Sequence, residues 1–271
     1  MQRRELLRRS AAFFSVITAG SILSACGGDD DTPAAPAPDT RPPAGTYRFD
    51  LGVASGDPKA DSVVFWTRVQ QADAGTGDIE LTLQVSTTED FSELVVEQPL
   101  TATALYDHTV RAKVVQLQPG TRYFYRFVAG RDHSVIGNSK TAPAADATPQ
   151  QLRFAWFTCQ DWSVNHWGAM ELLAAEQELD FTVHVGDYIY ETVGAQFQTG
   201  QVEPAHQPIT LPDGMPLADG STAALTLADY RTLYRTYRSD ARLQEVHRKF
   251  PFIAVWDDHE FSDDCWQDHQ T

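Results

Sequence analysis

Three apolar runs in the C-terminal half each end directly in polar side chains able to bind a metal, and this repeat limits the possible folds severely. Leu152–Thr158 closes on Cys159-Gln160-Asp161, and Phe181–Val185 closes on Gly186-Asp187 with Tyr190 shortly after. Phe250–Trp256 closes on Asp257-Asp258-His259-Glu260. Between the first two, Trp167, Met170, Leu173 and Ala174 share one helical face. Ahead of the third, Leu227, Tyr230, Leu233, Tyr234 and Tyr237 recur at helical spacing, and Asp240 can cap a further helix carrying Leu243 and Val246. Strand, helix, strand in this order predicts a parallel sheet covered on both faces. Ligands of such sheets bind in the crevice at the carboxyl ends of the strands. The pattern therefore directs thiol, carboxylate, phenol and imidazole groups toward one crevice.

Each piece has a plainer reading. A lone Cys159 reads as a small core residue, and Tyr190 as a packed aromatic. Asp257–Asp268 holds six acids in twelve residues, and an acidic run usually marks a solvated face. That reading fits poorly here, because Asp257 follows a run apolar enough to be expected in the interior. Carboxylates held there call for a counter-charge, and a bound cation supplies one. A disulfide between Cys159 and Cys265 remains a further alternative, favoured by an oxidising compartment.

The region 47–142 follows a different rule. Val63–Trp66, Leu81–Val85, Val110–Leu117 and Tyr123–Tyr125 are short runs of branched and aromatic residues. Turn signals separate them at Gly56-Asp57-Pro58, Gly75-Thr76-Gly77 and Pro119-Gly120. About 95 residues of this kind predict an all-β sandwich. The phrase from Leu117 to Tyr125 resembles the entry to a late strand of fibronectin type III or immunoglobulin-like modules, with tyrosines alternating inward. His108 and His133 are isolated and carry no constellation. Residues 142–150 (APAADATPQ) read as a linker to a second domain at 151–271.

Residues 1–25 read as an address. Arg3-Arg4 and Arg8-Arg9 precede an apolar run from Ala11 to Ala25, which is of signal-peptide length and short for a membrane span. The arginine pairs resemble the twin-arginine export signal of bacteria. Leu23-Ser24-Ala25-Cys26 resembles a lipobox, which would make Cys26 the lipidated first residue of the mature chain; an ordinary cleaved signal is the alternative. Residues 26–46, rich in Pro, Ala and Asp, read as an extended tether. The expectation is a protein of the bacterial cell envelope, exported by the twin-arginine translocase and touching the membrane only through a lipid. The formal net charge is −16, and the basic residues of the leader mean that the rest is more acidic still. That argues against a specific nucleic-acid-binding surface.

Taken in order, Thr158-Cys159-Gln160-Asp161-Trp162, His184-Val185-Gly186-Asp187-Tyr188-Ile189-Tyr190-Glu191 and Trp256-Asp257-Asp258-His259-Glu260 closely resemble the PhoD-like alkaline phosphatase family. That family belongs to the calcineurin-like metallophosphoesterases. The resemblance covers about residues 47–271. It implies an α/β metallophosphoesterase sandwich, incomplete here, that hydrolyses phosphomonoesters and phosphodiesters by two-metal catalysis with Fe3+ and Ca2+. On this resemblance Cys159, Asp187 and Tyr190 bind the iron, and Asp187 bridges toward the calcium. Asp258 is a ligand of the second metal, and His259 contacts the phosphate or protonates the leaving oxygen. Asp161 carries over more loosely, beside the metal or in weak contact with it. Asp257 and Asp263 are further candidates, and Asp263-Asp264 stand where some members have asparagines.

The phosphoesterase region is about 120 residues and stops soon after His259. It is therefore expected to be a fragment, with further metal ligands in later segments. Two other readings stay open. A purple-acid-type phosphatase would need Asp-x-His as its first motif, which Cys159-Gln160-Asp161 does not supply. A lipid-anchored β-sandwich binding protein with a vestigial catalytic domain would hold no iron.

Overall fold

The computed structural model describes residues 39–195, 198, 203 and 205–267. The leader, Cys26 and most of the tether lie outside the described residues, as do Asp268 and His269. Among the described residues no helix is long and apolar enough to cross a membrane.

Seven strands follow the alternation expected of the first region: β1 (Val53–Gly56), β2 (Ser62–Arg68), β3 (Ile79–Ser86), β4 (Leu94–Ala102), β5 (Thr109–Val115), β6 (Arg122–Ala129) and β7 (Gly137–Lys140). They form an antiparallel layer ordered β7-β6-β3-β4, facing β1, β2 and β5. Every second residue points into one shared apolar cluster. Ile79, Leu81, Leu83 and Val85 come from β3, Val110, Ala112 and Val114 from β5, and Tyr123, Tyr125 and Phe127 from β6. Tyr123 and Tyr125 are buried, so the inward alternation read from the sequence holds. Pro99 is tolerated because β4 is an edge strand.

The second region contributes β8 (Phe154–Phe157), α1 (Gly168–Ala175), β9 (Phe181–His184), α2 (Leu227–Tyr237), α3 (Ala241–Lys249) and β10 (Phe252–Ala254). The strands are parallel and adjacent in the order β8-β9-β10. The helices match the spacing argument closely. Leu233, Tyr237, Leu243 and Val246 are fully buried, and the Asp240 carboxylate caps α3 by accepting from the Arg242 and Leu243 N–H groups. The sheet does not stop at the linker. β10 lies parallel to β1 through Phe252 and Gly56, giving one six-stranded sheet ordered β8-β9-β10-β1-β2-β5. Gly56 is required there, because a Cβ would sit 2.7 Å from the Phe252 carbonyl oxygen. Residues 41–271 accordingly form one compact unit.

Two expectations need correction. The strands are shorter than the apolar runs, and among the described residues the helices of the parallel part of the sheet lie on one face. Phe157, His184 and Phe252 face the helices, whereas Phe154, Trp156, Val185, Ile253 and Val255 are 40–66% exposed. The reason is topological. Both crossovers, β8 to β9 and β9 to β10, advance in the same direction across the sheet. Right-handed connections of that kind lay their helices on the same side. The third run is therefore half-exposed, and Asp257 at its end is exposed too. The argument that burial of Asp257 demands a cation fails for that residue.

Candidate metal centre

The three strand ends meet through their backbones. The Cys159 N–H donates to the Gly186 carbonyl (3.2 Å), and the Gln160 N–H to that of Asp187 (3.1 Å). Gly186 has a φ of +109°, and a Cβ there would lie 2.4 Å from the Asp257 Cβ, so glycine alone lets the second and third strand ends approach. Cys159 (φ 55°) and Asp187 (φ 58°) both adopt the left-handed region without being glycine. Such strain is tolerated where the surroundings over-determine it, typically at functional sites. Glu260 supplies much of that restraint. Its carboxylate accepts from the N–H groups of Asp187 (3.1 Å), Tyr188 and Asp257 (2.7 Å), tying the second and third segments together.

Asp187 is the centre of the arrangement. It is 6% exposed; its Oδ2 lies 3.3 Å from the Cys159 Sγ and 3.5 Å from the Tyr190 hydroxyl, and its Oδ1 is buried without a partner. Ligand atoms of Asp187, Asp258 and His259 lie within 4.8 Å of one another, and those of Asp258, Asp263 and Asp264 do the same. Two adjoining clusters thus share Asp258. Cys159 is exposed and Cys265 half-buried, and both are free thiols, which removes the disulfide alternative.

Not every candidate joins them. Asp161 is buried, but its Oδ1 accepts from the Ser163 (2.6 Å) and Val164 (3.1 Å) N–H groups and its Oδ2 from Gln198 Nε2 (2.8 Å). It caps the turn that follows β8, which fits a supporting position rather than a ligand. Asp257 belongs to neither cluster among the described residues. Glu191 was quoted in the second motif without a role, yet it is 4% exposed and grips the third segment. Its Oε2 lies 2.8 Å from His259 Nδ1, and its Oε1 accepts from the Asp263 N–H (2.7 Å). Its place directly after Tyr190 was the available signal. His259 also lies against the Tyr190 ring, with centroids 4.1 Å apart.

The electrostatics follow from crowding. Burial, with Asp258 and Asp257 adding to it, pushes the Asp187 carboxyl above its ordinary value. Burial and the neighbouring Cys159 and Asp187 push the Tyr190 phenol far upward, so it ionises only beside a strong cation. Burial opposes charge on His259, but Glu191, Asp187 and Asp258 outweigh it and raise its pKa. Burial opposes the Asp258 carboxylate in turn, and the N–H groups of Asp264, Asp258 and His259 with the His259 charge together outweigh it, lowering that pKa. An orphaned carboxylate oxygen ringed by thiol, phenol, carboxylate and imidazole fits a metal ion as its missing partner. Next to it opens a cleft of about 560 Å³, with Leu217, Ser221, His259 and Asp263 in its wall.

Comparison with known proteins finds relatives over most of the chain. Residues 154–271 match the family described as PhoD-like phosphatase, and residues 34–143 match the PhoD-like phosphatase N-terminal domain. Alkaline phosphatase D of Bacillus subtilis (strain 168) is 36% identical over 222 residues, which cover 79% of this chain and 36% of that protein. A solved structure described as "Structure of PhoD" superposes with a TM-score of 0.69 at 34% identity, over 82% of this chain and 41% of that one. The chain thus spans well under half the length of these relatives.

Proposed function

The chain belongs to the PhoD-like phosphatase family, and on that premise we propose that it is the first part of an exported, metal-dependent phosphoesterase acting on phosphate monoesters and diesters. In this reading 47–142 is a fibronectin- or immunoglobulin-like sandwich, and 151–271 opens a metallophosphoesterase sandwich. The proposed ligands are Cys159, Asp187 and Tyr190 for ferric iron, with Asp187 and Asp258 toward calcium. Asp263 is a further candidate, and Asp161 a support. Bound there, the two ions would neutralise phosphate oxygens and make hydroxide available at neutral pH.

The chain's own groups have separable tasks. His259 stands at the cleft wall with Nδ1 fixed by Glu191, and its Nε2, 3.6 Å from Asp263 Oδ1, is the atom that would hold a proton for the departing oxygen. Glu191, Asp187 and Asp258 together outweigh burial and raise the His259 pKa, which favours the protonated form. Tyr190, tilted against the imidazole, restricts its movement. The acidic surface repels phosphate esters, so attraction has to be local to the site.

The observation that carries this reading is the buried, unpartnered Asp187 Oδ1 among those donors. The test is metal content. A form extended to the relatives' length should retain iron and calcium, and Asp187→Asn, nearly isosteric, should lose both, while Glu178→Gln on the exposed surface should not. An extended wild-type form with no affinity for either ion would defeat the assignment. Hydrolysis of a chromogenic diester is then measured on the loaded chain and on a form extended to the relatives' length. For export, Cys26→Ala should release the protein from membranes; unchanged membrane fractionation would defeat the lipid anchor.

A further inference from the structure

A second cleft, of about 310 Å³, lies between β2 and α2, and none of the clustered acids lines it. Four guanidinium groups line it, those of Arg68, Arg231, Arg235 and Arg238, against the single carboxylate of Asp107. Arg68 (2.9 Å) and Arg235 (3.0 Å) both pair with Asp107, which accounts for those two as a clamp between the antiparallel layers and α2. The other two are unaccounted for. Arg231 donates only to the Leu105 carbonyl (2.6 Å). Arg238 is 9% exposed and lies over the Trp66 ring at 4.0 Å. Its remaining contacts, to the Tyr188 hydroxyl and the Leu51 carbonyl, are both at 3.5 Å, and its Nε has no partner. A guanidinium buried without a carboxylate is costly. In a chain of net charge −16, a cleft with such an excess of positive charge is conspicuous.

The cleft continues into an apolar groove of about 480 Å³ that shares Trp66, Tyr234 and Arg238 as a common wall and adds Phe252, Trp256 and the Glu260 carboxylate. Flat aromatic walls beside unpaired guanidinium groups suit a ligand with a charged end and an apolar body. We propose that this junction is a binding site for a phosphate or phosphonate carried on an apolar group. Arginine binds such oxyanions through paired N–H groups. With four guanidinium charges facing the carboxylates of Asp107 and Glu260 across cleft and groove, a doubly charged phosphate suits the junction better than a singly charged carboxylate.

Phenylphosphonate, which a phosphoesterase cannot hydrolyse, is the probe, followed on the full chain by calorimetry and tryptophan fluorescence. Saturable binding is expected, with inorganic phosphate at least about tenfold weaker for want of the apolar body, and with no binding of benzyl alcohol. Arg231→Gln, at the rim and bonded only to one carbonyl, should fold normally and weaken phenylphosphonate about tenfold. Asp187→Asn should leave that binding within about twofold, because the Asp187 side chain lines neither the cleft nor the groove. Absence of saturable binding overturns the proposal. So does binding that Asp187→Asn abolishes and Arg231→Gln leaves intact, which would put the probe at the acid cluster. Inorganic phosphate binding as tightly as phenylphosphonate would overturn the apolar half of the site.

Discussion

In the antiparallel layers, the buried polar atoms without partners are hydroxyls, on Ser55, Thr103, Tyr125 and Ser139. Around the parallel strands, most are on ionisable groups: Asp187 Oδ1, His184 Nε2, His247 Nδ1 and Arg238 Nε. Left-handed backbone follows the same division. In the first region it falls at turns and connections, at Asp57, Ala74 and Gln116, where it serves to reverse the chain. In the second it falls on Cys159, Asp187 and Asp264, which carry candidate ligands, and on Gln267. One region closes on itself mainly with apolar contacts. The other is folded around ionisable groups that leave an atom without a protein partner among the described residues. The difference shows where stability and chemistry are divided in this chain.

Core truncation on each side tests whether this division is also a division in folding. Leu83 and Leu233 are both 0% exposed, one in each apolar cluster. Either change to alanine should cost about 2–5 kcal/mol. Because β1 is bonded to both β2 and β10, both variants should lower a single calorimetric transition. Two resolved transitions, each moved by only one variant, would break the continuity inferred from the sheet and make the regions independent folding units.

A smaller effect should appear with pH and belong to the parallel region alone. His184 is fully buried, and burial lowers its pKa to about 4. Unfolded histidine takes up its proton near pH ~6.5. Between those values the unfolded chain binds the proton and the folded one does not, so stability rises with pH across about 4 to 6.5. The contribution is on the order of 3 kcal/mol, fully present above that window and lost below it. Denaturant melts from pH 4 to 7 should show this slope in the metal-free chain, and His184→Leu should reduce it, the remainder belonging to His247, whose pKa burial lowers as well. An unchanged slope in the variant would assign the effect elsewhere.

The sequence displayed some of this directly and concealed the rest for identifiable reasons. Helical spacing and strand-end polarity are local patterns, so α1, α2, α3 and the meeting of Cys159, Asp187, Tyr190, Asp258 and His259 could be read from them. The bare face of the parallel sheet could not. Apolar runs look alike whether one face or both are covered, and only the direction of successive crossovers decides. The roles of Glu191 and Glu260 were hidden because a carboxylate gripping backbone N–H groups looks like a candidate ligand until its partners are placed. Asp180 shows the reverse case. Just ahead of β9 it belongs to no motif, yet it pairs with Lys140 and accepts from the Arg153 N–H (2.9 Å).

The smallest effect concerns the entry to α2, the helix that reaches from the parallel region to Asp107. Thr226 caps it: the Thr226 Oγ1 accepts from the Asp229 N–H (3.3 Å), and Asp229 Oδ2 accepts in return from the Thr226 N–H (2.9 Å). Asp229 also accepts from the Leu225 (2.9 Å) and Asp213 (2.8 Å) N–H groups. Aspartate rather than glutamate closes this capping box, so the usual signature is muted in the sequence. Thr226→Ala should cost about 1 kcal/mol, because it removes one acceptor while Asp229 keeps its own contacts. Thr226→Ser should restore most of the loss. Hydrogen exchange gives the regional readout: amides of the first turn of α2 should exchange faster in the alanine variant, and those of β6 should change only by the global loss. If protection in β6 fell by more than that loss, the cap would be supporting the antiparallel layers through Arg235 and Asp107. The two regions would then be coupled more tightly than their separate cores suggest.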